Sequence, residues 1–189
     1  MKHIILASAS PRRKEILELA DLDFDIMPSD AEEITTKTEP HEVVMELASI
    51  KARDIYERSD KQSMVIGADT VVAYHGQVLG KPADEADAKR TLMMLSGQTH
   101  EVYTGVAILS YNNACEKEII NHAVETKVHV HEMSEEEIRA YIATGDPMDK
   151  AGAYGIQGSF AAYIDGIEGD YYNVVGLPVS YVYQQLKKR

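Results

Sequence analysis

Residues 4–17, with the sequence IILASASPRRKEIL, predict a buried strand, a loop of small residues and a helix. The apolar run at residues 4–6 is typical of a strand that is covered on both faces. Ser10 suits the N-cap of the helix, and Pro11 suits its first position, where the missing N–H costs nothing. The loop between the two elements carries little side-chain bulk, so a ligand could approach its backbone.

Arg12 and Arg13 fall in the first turn of this predicted helix, which is the unfavourable end for a positive charge. One explanation is a bound anion, most simply a phosphate, held by free N–H groups, the helix dipole and the two guanidinium groups. The alternative is that both arginines pair with nearby Asp or Glu side chains, which are plentiful. The spacing favours the phosphate.

The remaining pattern alternates helices and strands. We expect helices at residues 11–20, 40–58, 84–95, 134–145 and 178–188, and strands at residues 24–27, 64–74, 77–79, 98–112, 114–131 and 160–165. The two longest strands form a predicted hairpin that turns at Asn112 and Asn113. This order predicts a mixed α/β fold with two lobes around a central cleft.

Length and composition are those of an ordinary globular protein. The chain has 189 residues, of which 44% are hydrophobic and 26% charged, and we expect one domain over residues 1–189. No apolar run approaches the roughly 20 residues of a membrane span, and residues 1–3 lead directly into the first strand, so we expect neither a membrane segment nor a signal peptide. Cys115 is the only cysteine, which excludes an intramolecular disulfide. A cytoplasmic protein is expected.

The net charge of −12 argues against a general nucleic-acid binder, which would present a basic face. It does not argue against a small polyphosphate ligand, because a few local cations and a divalent metal can hold one. The positions of the basic residues therefore matter more than their number.

Asp69 interrupts an otherwise continuous apolar strand in MVIGADTVVAY. A buried carboxylate is costly unless it is paired, hydrogen-bonded or bound to a metal, so Asp69 is either a functional acid or a structural one held by backbone N–H groups. A two-residue turn at His75-Gly76 would place Lys81 opposite Thr70 and so beside this acid.

Lys51 lies near the centre of the apolar stripe of the helix predicted at residues 40–58. Its ammonium either reaches the solvent along its own stem or enters a cleft. The acidic loop at residues 29–33 is either solvated or presents Glu32 or Glu33 to a metal.

Two further patterns each allow a structural and a functional interpretation. His129 and His131 alternate onto one strand face, but with no third ligand signalled we interpret them as exposed strand residues. Residues 149–158, DKAGAYGIQG, form either a plain glycine-rich connector or a loop that shapes a pocket around a flat ligand, where Gln157 could donate to and accept from a base edge.

Taken together, five stretches of the chain resemble the Maf family of nucleoside triphosphate pyrophosphatases, also described as septum-formation inhibitors. They are ASASPRR at residues 7–13, GADT at residues 67–70, LGKP at residues 79–82, LSGQTH at residues 95–100 and residues 149–158. They follow the order of the family and cover nearly the whole chain.

The resemblance implies an elongated α/β fold related to inosine triphosphate pyrophosphatases, with the active site in a cleft between lobes. It also implies hydrolysis of a nucleoside triphosphate to the monophosphate and pyrophosphate with a divalent cation, Mg²⁺ or Mn²⁺. By motif position, Asp69 matches the proton acceptor. Positions on the phosphate or metal side are matched by Ser8, Arg13, Lys51, Lys81 and Glu33, the last as the expected metal ligand, with Glu32 as the alternative. Arg12, Thr70 and Gln157 match the positions that set base preference. This combination is similar to that of the family's branch that acts on dTTP and UTP, or on modified pyrimidine nucleotides.

Two other functions remain open at this point. One is a regulatory protein of cell division that senses nucleotide without cleaving it, and the other is a nucleic-acid-binding module, which the charge disfavours. A homodimer is also left open.

Overall fold

The computed structural model describes residues 2–60, 62–112 and 116–188. The strands are β1 (Ile4–Leu6), β2 (Phe24–Ile26), β3 (Met64–Tyr74), β4 (Gln77–Leu79), β5 (Thr99–Tyr111), β6 (Lys117–Val130) and β7 (Ile164–Glu168). The α-helices are α1 (Pro11–Glu18), α2 (Pro40–Arg58), α3 (Glu85–Leu95), α4 (Glu135–Ile142), α5 (Tyr171–Val175) and α6 (Val179–Leu186).

All these strands form one mixed sheet in the order β2-β1-β3-β5-β6-β7, with β4 paired to β3. The strand β1 runs parallel to both neighbours, whereas the other pairs are antiparallel. Helices pack against this sheet, and the predicted mixed α/β fold class is confirmed. Among the described residues, none of the helices has the length and apolar character needed to cross a membrane.

The central strand β3 extends beyond its neighbour β1, and this offset positions the site. The last residue of β1, Leu6, is opposite Ile66, and β3 then continues along β5. Asp69 and Thr70 therefore follow the carboxyl end of β1, beside the loop that leads into α1. The Ser10 hydroxyl accepts the Arg13 backbone N–H at 3.5 Å, so the predicted N-cap is confirmed.

The helix α2 lies unusually close to the sheet because two glycines face it. A Cβ on Gly67 would lie 2.4 Å from the Ala48 carbonyl oxygen, and one on Gly105 would lie 2.2 Å from that of Val44. Side chains at these two positions would push the helix away. This close approach holds the middle of α2 directly over β3.

Some predicted boundaries were wrong. The helix α1 ends at Glu18 rather than residue 20, and the chain then turns through Asp21 at a φ of 52°. The helix α6 is also shorter than predicted.

The strand predicted at residues 160–165 is largely a 3₁₀ helix at Ser159–Tyr163, and β7 begins at Ile164. Phe160 is fully buried among the rings of Tyr141, Tyr154 and Tyr163, so core packing overrides its strand preference. The helix α5 was not predicted.

The long hairpin of β5 and β6 is confirmed, but part of its predicted turn and Cys115 lie outside the described residues. On its far edge, His129 contacts Glu168 at 3.0 Å, and His131 lies 3.5 Å from Asp165. Each histidine thus faces a carboxylate of β7.

Candidate active site

A cleft of about 700 Å³ opens where β3 passes the carboxyl end of β1. Its walls come from the start of α1, the middle of α2, the β3–β4 hairpin, residues 146–158 and residues 174–176. Eight of the nine predicted site residues line it: Arg12, Arg13, Glu33, Lys51, Asp69, Thr70, Lys81 and Gln157. The ninth, Ser8, is buried directly behind Arg13.

Asp69 and Lys51 form a largely buried ion pair at the inner end of the cleft. The Lys51 ammonium lies 2.7 Å from Asp69 Oδ1 and 3.0 Å from Glu33 Oε2. The Asp69 and Lys51 side chains are 12% and 13% exposed, whereas that of Glu33 is 53% exposed. Lys51 therefore delivers its charge into the cleft, and two carboxylates flank one cation.

Arg13 is fixed by neutral oxygen atoms rather than by a carboxylate. Its Nε donates to the Gly176 carbonyl at 2.9 Å, and its terminal nitrogens donate to the hydroxyls of Thr70 at 3.1 Å and Ser8 at 3.4 Å. Burial lowers the pKa of Arg13, and the negative charge of Asp69 acts in the opposite direction. Within the described residues, neither Arg13 nor Arg12 has a carboxylate oxygen within 4.0 Å. The alternative that both arginines are simply paired with acids is therefore wrong.

Lys81 reaches the cleft through the predicted hairpin. The pairs Val72–Leu79 and Tyr74–Gln77 enclose a two-residue turn at His75-Gly76, in which both residues have positive φ, 50° and 76°. The pairing of β4 with β3 ends at Leu79, and the Gly80 carbonyl accepts the Gly152 backbone N–H at 3.1 Å, so Lys81 follows the ladder and its place opposite Thr70 stays a prediction. Lys81 is exposed at the cleft wall, and in the described part of the chain only Lys51 contacts Asp69 within ion-pair distance.

The glycine-rich loop wraps around a lysine that the sequence analysis did not single out. Lys150 Nζ lies 2.9 Å from Asp146 Oδ1 and 2.7 Å from Asp149 Oδ1. Burial lowers the pKa of Lys150, but its hydrogen bonds to Asp149 and Asp146 outweigh that effect and raise it overall. A Cβ on Gly155 would lie 2.7 Å from Lys150 Cε, so the loop follows the lysine stem closely. The i, i+4 spacing of Asp146 and Lys150 is not a signal for this pair, because that rule holds along an α-helix and α4 ends at Ile142.

A buried histidine contacts the same loop through a tyrosine hydroxyl. His100 is fully buried, and its Nε2 lies 2.7 Å from the Tyr154 hydroxyl. Burial lowers the pKa of His100 to about 4, so the ring is neutral at physiological pH. Gln157 is exposed at the rim of the cleft, where its amide can meet a ligand.

The sequence is similar along its whole length to that of known proteins. The chain is 50% identical to a dTTP/UTP pyrophosphatase of Lachnoclostridium phytofermentans, over 100% of this chain and 95% of that protein. It is 52% identical to a dTTP/UTP pyrophosphatase of Agathobacter rectalis, over 100% of this chain and 98% of that protein.

Solved structures with a similar fold include a HAM1 protein from Coxiella burnetii, with a TM-score of 0.51, 19% identity and 100% of both chains covered. The Ham1 protein of Staphylococcus aureus gives a TM-score of 0.52 at 14% identity, covering 99% of each chain. At these identities the likeness concerns the fold alone. The model of a family described as Maf-like protein matches residues 3–189, and this chain belongs to the Maf family.

Proposed function

We propose that this chain hydrolyses dTTP and UTP, or modified forms of these nucleotides, to the nucleoside monophosphate and pyrophosphate. The observation that carries the proposal is the buried Asp69–Lys51 pair in a cleft that also contains Arg13, and no carboxylate oxygen of the described residues lies within 4.0 Å of that arginine. An anionic phosphate would place a negative charge in direct contact with Arg13, whose guanidinium is held only by neutral oxygen atoms among the described residues. The substrates come from the names of the two relatives that share half their residues with this chain.

In the proposed reaction, Asp69 accepts a proton from a water molecule that attacks the α-phosphorus. The new bond joins the water oxygen to that phosphorus, and the bond from phosphorus to the oxygen bridging the α- and β-phosphates breaks. Pyrophosphate leaves with the electron pair of the broken bond. Asp69 suits this role because its carboxylate is held in place by Lys51 and is shielded from bulk water.

The cations bind and orient the triphosphate. Lys51 and Arg13 lie deep in the cleft and Lys81 lies at its wall, so together they can neutralise the leaving pyrophosphate. Ser8 contributes by holding the Arg13 guanidinium. Positioning and charge neutralisation are most of what phosphoryl transfer requires from a protein.

Base preference is assigned to Arg12, Thr70 and Gln157. Gln157 and Arg12 both line the cleft, and Gln157 is exposed at its rim, where its amide can face a base edge. Thr70 lies deeper, and its hydroxyl is already engaged by Arg13, so its influence on the substrate passes through that arginine.

A divalent metal, Mg²⁺ or Mn²⁺, fits this site. In the described ranges, no group of three or more His, Cys, Asp or Glu side chains could form a metal cage of its own. Glu33 and Asp69 nevertheless flank the same ammonium, and Mg²⁺ commonly binds one or two carboxylates while substrate phosphates and water complete its shell. Glu33 would hold the ion, which when bound would neutralise phosphate charge.

Residues 1–189 are proposed to act as a single domain, because both walls of the cleft are built on the same sheet. Since nucleoside triphosphates are its proposed substrates, we place its activity in the cytoplasm.

The direct test is pyrophosphate release from a panel of canonical and modified nucleoside triphosphates with Mg²⁺, Mn²⁺ or EDTA. The proposal predicts metal-dependent release that is concentrated on dTTP, UTP and related pyrimidine nucleotides. Release from purine nucleotides alone would contradict the assignment of Arg12, Thr70 and Gln157. Binding without any release would favour a nucleotide-sensing regulator of cell division.

A further inference from the structure

A series of hydrogen bonds between hydroxyl groups connects Arg13, through half-buried Thr70 on β3 and buried Thr104 on β5, to α5. The Thr70 hydroxyl oxygen lies 2.9 Å from that of Thr104 on the neighbouring strand β5. The Thr104 hydroxyl donates to the backbone carbonyl of Asn173 at 2.8 Å. Thr104 and Asn173 are both fully buried, so neither group is available to solvent or substrate.

The direction of the hydrogen bonds between these hydroxyl groups follows from their protons and lone pairs. A threonine hydroxyl has one proton, and a backbone carbonyl can only accept. Thr104 therefore donates its proton to the Asn173 carbonyl oxygen. Thr70 then donates the bond between the two threonines, because its one proton lies nearer the Thr104 oxygen, at 2.9 Å, than the Gly176 carbonyl oxygen, at 3.5 Å. The Thr70 oxygen is left with its lone pairs facing the cleft, where it accepts from Arg13, which can only donate.

The far end of this series of hydrogen bonds is fixed as well. Asn173 Nδ2 donates to the Val102 carbonyl and to the Thr126 hydroxyl, both at 3.0 Å, which fastens α5 to β5 and β6. The same segment continues to Gly176, whose carbonyl accepts Arg13 Nε at 2.9 Å. Two of the acceptors that orient Arg13 therefore depend on one anchored segment.

We propose that Thr104 is a positioning residue for Arg13: its hydroxyl sets the proton order that leaves Thr70 an acceptor, and it ties α5 to the strand beside the cleft. Thr104 never touches the substrate in this role. It acts by keeping the guanidinium oriented before the nucleotide binds, which spares the cost of ordering that group on binding. The inference rests on the proposed function, since it takes Arg13 to bind the phosphates.

The test is a double-mutant cycle in the full chain, with inorganic pyrophosphate as the titrated ligand and calorimetry as the measurement. Thr104→Val removes the hydroxyl at nearly constant volume and should weaken pyrophosphate binding about tenfold. In an Arg13→Ala background the same change should alter binding less than about twofold, because the group that it positions is absent. Thr104→Ser, which keeps the hydroxyl, should restore binding.

The matched control is Ser110→Ala. Ser110 is a fully buried serine on the same strand, and its hydroxyl has no hydrogen-bond partner in the described part of the chain. This variant should bind pyrophosphate as the wild type does. If Thr104→Val does not fold, Thr104→Ala carries the same test without placing a methyl group against the Asn173 carbonyl.

An equal loss of affinity in the presence and absence of the Arg13 side chain would overturn the inference, as would unchanged affinity in Thr104→Val. Both results leave the proposed function intact if the wild type still hydrolyses dTTP. A wild-type protein that neither binds pyrophosphate nor releases it from any nucleotide would overturn the proposed function, and this role of Thr104 with it.

Discussion

The buried His100 should make the stability of this protein depend on pH between about pH 7 and about pH 5, above the usual pKa values of exposed carboxylates. The usual pKa of histidine is 6.5, and burial lowers that of His100 to about 4. As the pH falls below 6.5, the unfolded chain takes up a proton at this position and the folded chain does not. The stabilisation is therefore present above pH 6.5 and is lost as the pH falls toward 4.

The size of this effect follows from the two pKa values. Their difference corresponds to about 3 kcal/mol over the full range, and about 2 kcal/mol of it is lost between about pH 7 and about pH 5. The perturbation is His100→Gln, which does not titrate and can still hydrogen-bond the Tyr154 hydroxyl.

The assay is urea unfolding of both proteins at the two pH values. We expect the free energy of unfolding to fall by about 2 kcal/mol more in the wild type than in the variant. An equal fall in both proteins would show that His100 titrates normally in the folded state and would refute the reasoning.

Three further predictions concern the cleft and the packing of α2 on the sheet. Lys51→Met should leave the buried Asp69 carboxylate without its cation and reduce dTTP turnover by about 100-fold or more in steady-state assays. An unchanged rate would show that Lys51 does not take part in the reaction. Gln157→Ala should lower the preference for dTTP and UTP over other nucleotides by about 1–3 kcal/mol in competition assays, and unchanged substrate ratios would remove Gln157 from base recognition. Gly105→Ala should lower the free energy of unfolding by about 2 kcal/mol or more in urea titrations, because its Cβ would collide with α2. Gly166→Ala, which meets nothing within 4 Å, is the control, and equal losses in both variants would contradict the close approach of the helix.

The parts of the fold that local sequence determines were predicted well. The helix Pro40–Arg58 has its predicted bounds because an apolar stripe at helical spacing runs through it from an initial proline. The two-residue turn at His75-Gly76 fixes the register of β3 and β4, and the chain beyond β4 brings Lys81 to the cleft wall. Ser10 and Pro11 likewise mark the start of α1 through cap chemistry alone.

What the sequence could not predict depends on contacts between distant segments. Arg13 is held by the carbonyl of Gly176, a backbone atom with no sequence signature that lies far along the chain. The sequence predicts Phe160 to be part of a strand, but its segment forms a 3₁₀ helix because the ring is buried among other aromatic rings. Lys150 belongs to the glycine-rich stretch at residues 149–158, but only the fold shows that its ammonium contacts both Asp146 and Asp149.

The measurement that tests the central claim most directly is dTTP hydrolysis by Asp69→Asn, together with its affinity for pyrophosphate. Asparagine keeps the size of the side chain but cannot take the proton of water, so turnover should fall by at least about 100-fold while pyrophosphate binding is retained. Turnover at the wild-type rate would contradict the assignment of Asp69 as the proton acceptor and the mechanism built on it.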